Sequence, residues 1–169
     1  MCASPASVAI LLLLASPHAL AGEELRNWFN DPFVQLVAHD PTCPVPAGPF
    51  VTERERLAQS HRRAEKGTSA WLAGKAERSK AYAYDPDIAA ALKAAVQTNV
   101  RFKAGALWAT VQGRVVYLEG CLASESEVRE LEATVRALPY VQQAIALVRT
   151  DPKTEVPYRV MPQSSAPRQ

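Results

Sequence analysis

The sequence has no apolar run that could cross a bilayer: its longest, Val8 to Ala15, is far shorter than the ~20 residues of a spanning helix. It has no large excess of charge of either sign. There are 19 Lys and Arg against 17 Asp and Glu, which gives no support to nucleic-acid binding. A glycine-rich phosphate loop, a nucleophile elbow and a paired-carboxylate arrangement are also missing. We therefore predict a protein that is not an enzyme and that needs no cofactor or metal.

The short apolar run has the features of an export signal. It is followed by Ala19, Leu20 and Ala21, the small-x-small pattern at which signal peptides are cleaved. We expect residues 1–21 to be a secretory signal peptide, and the mature chain to have no transmembrane segment. The alternative is that the apolar run forms a buried helix of the folded domain.

Cysteine is scarce, and its positions suggest one crosslink. Of the 3 cysteines, Cys2 lies in the expected signal peptide, so Cys43 and Cys121 remain in the exported chain. Disulfides form and persist in oxidising compartments, and a single bridge between the two is the economical interpretation. The alternative is two separate buried thiols.

Residues 22–83 read as an N-terminal extension. Prolines recur between residues 32 and 49 and interrupt regular structure, so we expect an irregular arm there. Residues 52–66 then form a charged helix, because Thr52 and Glu55 match a capping box and a glycine follows at position 67.

A helix and a hairpin are expected at the start of residues 84–150. Asp85 precedes a proline and begins a segment whose apolar residues recur at helical spacing. Residues 107–111 and 115–120 are rich in β-branched and aromatic residues, as strands are. Gly113 lies between them and supplies the positive φ that a tight reversal needs.

A second helix and a third strand complete the predicted domain. Ser124 and Glu127 form another capping box, and apolar residues then follow at steps of three and four. Residues 141–150 form a strand that is apolar on both faces, which favours an inside position in the sheet. The fold class is α+β, a two-layer sandwich in αββαβ order with two helices on a three-stranded mixed sheet. Residues 151–169 are expected to be a disordered tail.

The stretch from residue 84 to residue 150 resembles a BON domain, a small module of bacterial envelope proteins. The resemblance rests on the helix after Asp85, the hairpin ending VVYLEG, the helix SESEVRELEATVRALP and the following VQQAIALV. Gly120 corresponds to the family's strand-ending glycine, where we expect a β-carbon to clash as the chain turns under the next helix. The resemblance implies a non-catalytic periplasmic module that binds phospholipid or another envelope component and supports envelope integrity or osmotic-stress resistance.

Two basic clusters are candidates for contact with anionic head groups. The first surrounds an aromatic residue near the end of the first BON helix and consists of Lys93, Arg101, Phe102 and Lys103. The alternative there is a solvated helix end with a core phenylalanine. The second cluster, on the charged helix, consists of Arg62, Arg63 and Lys66, and its alternative is an ordinary solvated face.

Two other functions are compatible with the sequence. The extension could dock on an envelope protein through Trp28, Phe29, Phe33 and Trp71, since aromatic residues carry much interface energy; the alternative is docking on the chain's own BON domain. A thiol–imidazole pair or metal site can also be drawn from His39, Cys43 and His61, but a proline-bound loop gives it little support.

Overall fold

The computed structural model describes residues 23–102 and 104–162. The expected signal peptide, Lys103 and the last seven residues of the predicted tail lie outside the described residues. The central element is a four-stranded sheet in the order β1-β2-β3-β4. Neighbouring pairs are antiparallel except the last, in which β4 runs parallel to β3. The strands are β1 Phe33–Ala38, β2 Ala106–Gln112, β3 Val115–Cys121 and β4 Gln143–Arg149.

The α+β class is confirmed, but the prediction of three strands was wrong. β1 comes from the N-terminal extension and pairs along the edge of β2 that the BON-like segment leaves free. Prolines flank this strand without interrupting it. Because prolines so close together favour irregular structure, the strand was not predicted from the sequence. The αββαβ order describes only residues 84–150, and the described chain as a whole has additional elements before it. β4 lies at an edge of the sheet and not inside it.

Within the described residues four helices accompany the sheet, and two of them, α3 (Asp85–Gln97) and α4 (Glu125–Arg136), pack on the same face. Their inward residues join the inward residues of β2 and β3 in one core, whose members alternate along each strand. Short 3-10 turns at Ala81–Tyr84 and Val100–Phe102 flank the third helix. The helices are α1 Glu53–Glu65, α2 Thr68–Leu72, α3 Asp85–Gln97 and α4 Glu125–Arg136.

The opposite face of the sheet, here called the outer face, is covered by the part of the arm that follows β1 and by residues 151–162. Cys43 forms a disulfide with Cys121, as predicted, and the pair packs beside Trp108. Residues 151–162 run back across this face instead of forming a disordered tail. The Ala47 amide donates to the Arg159 carbonyl at 2.7 Å, and the Met161 amide donates to a carbonyl of the arm at 2.9 Å. The polar composition of the segment does not reveal these backbone partners.

The β2–β3 hairpin closes with a two-residue turn held by a buried carboxylate. Gly113 and Arg114 both have positive φ, +60° and +70°, as a type I′ turn requires. Asp85, at the start of α3, accepts hydrogen bonds from both of their amides, at 2.6 and 2.8 Å. Burial raises the pKa of Asp85, and these two hydrogen bonds oppose that rise. Asp85, the first residue of α3, therefore fastens the helix to the hairpin.

Gly120 lies within β3, opposite Leu107, and has a φ of +147°. A β-carbon at this position would be 2.0 Å from the carbonyl oxygen of Ala106. The requirement for glycine is therefore confirmed, but its cause is the backbone of the neighbouring strand and not a turn under the following helix.

Candidate functional site

The basic cluster predicted near the end of α3 is not assembled around an exposed aromatic ring. Phe102 is fully buried in the core, so its predicted role in contacting a ligand or membrane was wrong. Arg101 is exposed but pairs with Glu130 at 2.6 Å, and Lys93 is exposed on α3. With Lys103 outside the described residues, the structure matches the alternative of a solvated helix end with a core phenylalanine.

The second basic cluster lines a cavity. The last turns of α1 lie over one end of the outer face and enclose about 440 Å³. Three cationic side chains, two tyrosines and two glutamines surround this space, which we call the cationic groove. Its lining residues are Gln59, Arg62, Arg63, Lys66, Tyr82, Gln112 and Tyr117.

Arg63 is the fixed member of the groove. Its guanidinium pairs with Asp31, and both side chains are largely buried. The same guanidinium lies 3.9 Å from the ring centroid of Phe29 and 4.2 Å from that of Tyr82. Gln112 donates to the other Asp31 oxygen at 2.8 Å. These contacts fasten α1 to the sheet, so Arg63 serves chiefly to build the groove.

Lys66 and Arg62 are the two cations of the groove that are not neutralised by an ion pair in the described part of the chain. Lys66 ends α1, and its ammonium donates to the Gln112 carbonyl at 3.3 Å, just above the hairpin turn. Burial lowers the pKa of Lys66; Arg63 and Arg62 also lower it, whereas Asp85 raises it. Arg62 is exposed, and neither Arg62 nor Lys66 belongs to an ion pair within the described part of the chain. A bound anion would offset the mutual repulsion of these cations.

A smaller cavity of about 190 Å³ adjoins the groove on the outer face. It shares Gln112 and Tyr117 with the cationic groove and adds Gly48, Thr110 and Glu119. Glu119 is only 8% exposed, and burial raises its pKa to about 7. We call this space the acidic extension of the groove.

Sequence reasoning missed the acidic extension, although a signal was present. Strand alternation places Tyr117 and Glu119 on the face opposite Val116 and Leu118. The strand pattern does not show that this face is covered by other segments of the chain. Glu119 is buried because distant segments of the chain close over that face.

The structure does not support the candidate thiol or metal chemistry. Cys43 is bonded to Cys121, so the proposed pairing of a Cys43 thiol with His39 was wrong. Among residues 23–102 and 104–162, no group of three or more His, Cys, Asp or Glu is placed to hold a metal ion. Within the same ranges, no helix is both long and apolar enough to span a membrane.

Most aromatic residues of the extension dock on the chain itself. The Trp28 indole donates to the Val51 carbonyl at 2.8 Å, Phe29 lies under Arg63, and Phe33 packs edge-to-face on Phe50. Trp28 and Phe29 therefore dock on the extension itself, whereas Phe33 also packs against the cluster that contains Trp108 and Cys121 of the BON-like segment, which is the alternative that the sequence left open. Trp71 differs, because it is 45% exposed.

Comparison with known proteins identifies one part of the chain. Residues 84–151 match the family model of the BON domain. No curated protein and no solved structure matches the chain. The match covers α3, β2, β3, α4 and β4, whereas the groove's cationic residues on α1 lie outside it. Residues 84–151 are therefore a BON domain.

Proposed function

We propose that this is an exported, non-catalytic protein of the periplasm that binds phosphate groups of anionic phospholipid in the cationic groove. The observation that carries the proposal is the convergence of Arg62, Arg63 and Lys66 on one cavity, two of them without an ion-pair partner in the described chain. Phosphate oxygens accept hydrogen bonds from guanidinium and ammonium groups. The BON domain supports an envelope-associated role.

The surface next to the groove suits a peripheral membrane contact. α2 follows Lys66 almost directly, and it exposes Trp71 and Leu72, with Leu72 72% exposed. Aromatic and aliphatic side chains beside cationic ones are the combination found on surfaces that rest at a lipid interface. We infer that the membrane is bound from one side, with α2 at the acyl boundary and the groove at the level of the head groups.

Flotation with vesicles tests the proposal. The protein should float with phosphatidylglycerol-containing vesicles and remain behind with pure phosphatidylcholine. Each cation near an anionic surface contributes about 1 kcal/mol, so the double substitution Arg62→Gln/Lys66→Gln should weaken binding about thirty-fold. The matched control, Lys93→Gln/Arg101→Gln, removes the same charge from the other cluster and should float normally. The opposite pattern would move the contact to the end of α3.

A second candidate is a protein-interaction role for the extension, favoured by the exposure of Trp71 and Leu72. Substituting both with serine separates the two functions. If they meet lipid, vesicle recovery falls. If they meet an envelope protein, vesicle recovery is unchanged and the substituted protein no longer co-purifies with a partner from detergent-solubilised envelopes.

A further inference from the structure

The acidic extension contains two buried polar groups that the protein itself leaves unsatisfied. Within the described chain, Glu119 Oε2 and Thr110 Oγ1 have no hydrogen-bond partner. Glu119 is 8% exposed and Thr110 is 3% exposed. Leaving a buried polar group unsatisfied costs about 1–3 kcal/mol, and more when the group is charged. Both residues line the same cavity, so one ligand group could satisfy them together.

The hydrogen-bonding chemistry of Glu119 Oε2 and Thr110 Oγ1 indicates which ligand group would satisfy both atoms. A carboxylate oxygen only accepts hydrogen bonds, and a threonine hydroxyl can accept as well as donate. A primary ammonium has three N–H donors and a positive charge, so it suits both atoms. A quaternary ammonium has no N–H donor and is bulkier, so it cannot replace a primary one here.

The charges that face Glu119 leave it available for a cation. Arg159, from the C-terminal segment, is the cationic side chain that lowers the pKa of Glu119. Its guanidinium is already engaged, because it donates to Glu55 at 3.2 Å and to the carbonyl of Phe50. Tyr158, a further titratable side chain near Glu119, has a pKa raised by burial to about 12 and is neutral in the working range.

The opposite end of the same groove is cationic. Gln112 and Tyr117 line both cavities, so the unsatisfied carboxylate and the Arg62 and Lys66 cations lie in two adjoining cavities. We propose that the groove binds an aminoalkyl phosphate, with the ammonium at Glu119 and Thr110 and the phosphate at Arg62 and Lys66. This inference rests on the proposed function only in taking the anion to be a phosphate. The ligand is either a soluble compound or the head group of phosphatidylethanolamine.

Calorimetric titration of the whole exported chain at about pH 8 tests the ammonium site. The probes are phosphoethanolamine, phosphocholine and inorganic phosphate, which share the anion and differ in the amine. We expect phosphoethanolamine to bind at least about tenfold more tightly than phosphocholine. Glu119→Gln should bring that ratio close to one without weakening inorganic phosphate, whereas Arg62→Gln/Lys66→Gln should weaken all three. Equal affinity of the wild-type protein for the two amine-bearing probes would overturn the proposal.

A second variant keeps the test independent of any effect of Glu119→Gln on folding. Thr110→Val preserves shape, removes the hydroxyl and should reduce the preference for phosphoethanolamine over phosphocholine severalfold. An unchanged ratio in both variants would show that the amine is recognised elsewhere and would also overturn the assignment.

Vesicles distinguish the two sources of the ligand and separate this inference from the proposed function. Stronger flotation with phosphatidylethanolamine mixed into phosphatidylcholine than with phosphatidylcholine alone identifies the lipid head group as the ligand. Discrimination among soluble probes without flotation on any vesicle supports the groove ligand but refutes the membrane function. Flotation on phosphatidylglycerol without discrimination among the soluble probes leaves the membrane function standing and refutes the ammonium site.

Discussion

Replacing Glu119 with glutamine should stabilise the folded protein near neutral pH. Glutamine has nearly the same shape but carries no titratable proton. Burial raises the pKa of the glutamate from 4.5 to about 7, and each unit of pKa corresponds to about 1.36 kcal/mol. The ionised carboxylate therefore destabilises the folded protein by about 3 kcal/mol once the pH exceeds both values.

The sign follows from which state holds the proton. Between about pH 4.5 and pH 7 the folded protein keeps Glu119 protonated, while the unfolded chain has released that proton. Raising the pH through this window therefore favours unfolding. Glu119→Gln abolishes this contribution, so the variant should gain on the wild type across the window and keep a constant advantage above it. Other titrating groups, including Asp85, are present in both proteins and cancel in the comparison.

Urea unfolding at several values between about pH 4 and pH 8 measures the difference. The exposed residue Glu77 provides the control, because Glu77→Gln removes a carboxylate that is not buried. We expect the free energies of unfolding of Glu119→Gln and wild type to diverge as the pH rises, and those of Glu77→Gln and wild type to stay parallel. If Glu119→Gln also stays parallel to the wild type, Glu119 is solvated in solution and the acidic extension is not closed.

Three further predictions concern the elements that hold the groove together. Gly120→Val should lower the free energy of unfolding by at least about 3 kcal/mol, because its β-carbon would meet the Ala106 carbonyl oxygen at 2.0 Å, and thermal melting at an unchanged temperature would contradict this. Asp85→Asn should cost about 1–3 kcal/mol in urea unfolding, since the amide presents only one acceptor oxygen to the two turn amides, and an unperturbed turn in amide hydrogen exchange would count against it. Reduction of the Cys43–Cys121 bond, which joins residues 78 apart, should cost about 4.5 kcal/mol in the chain-entropy model, and intact mass with and without reductant verifies the bond itself.

The candidate site shows where sequence reasoning reaches its limit. The charged cluster on α1 is visible in the sequence as a run of basic residues, but an ordinary solvated face explains the same run. The difference lies in Asp31, a residue of the arm that is far away in the chain and pairs with Arg63. A pairing between distant residues leaves no periodic signal. Phe102 shows the converse case, because a basic neighbourhood does not prevent an aromatic side chain from entering the core.

Local signals determined the elements of the BON domain. Apolar spacing, capping residues and the turn glycine act over a few residues, so α3, the hairpin, α4 and β4 could be predicted from the sequence, as could the pairing of the only two cysteines outside the expected signal peptide. Only the tertiary structure shows that β1 joins the sheet, that the outer face is covered and that Glu119 is buried. Each of these depends on backbone or side-chain partners brought together by long-range folding, because solvent exclusion is a property of the assembled layers and not of any one segment.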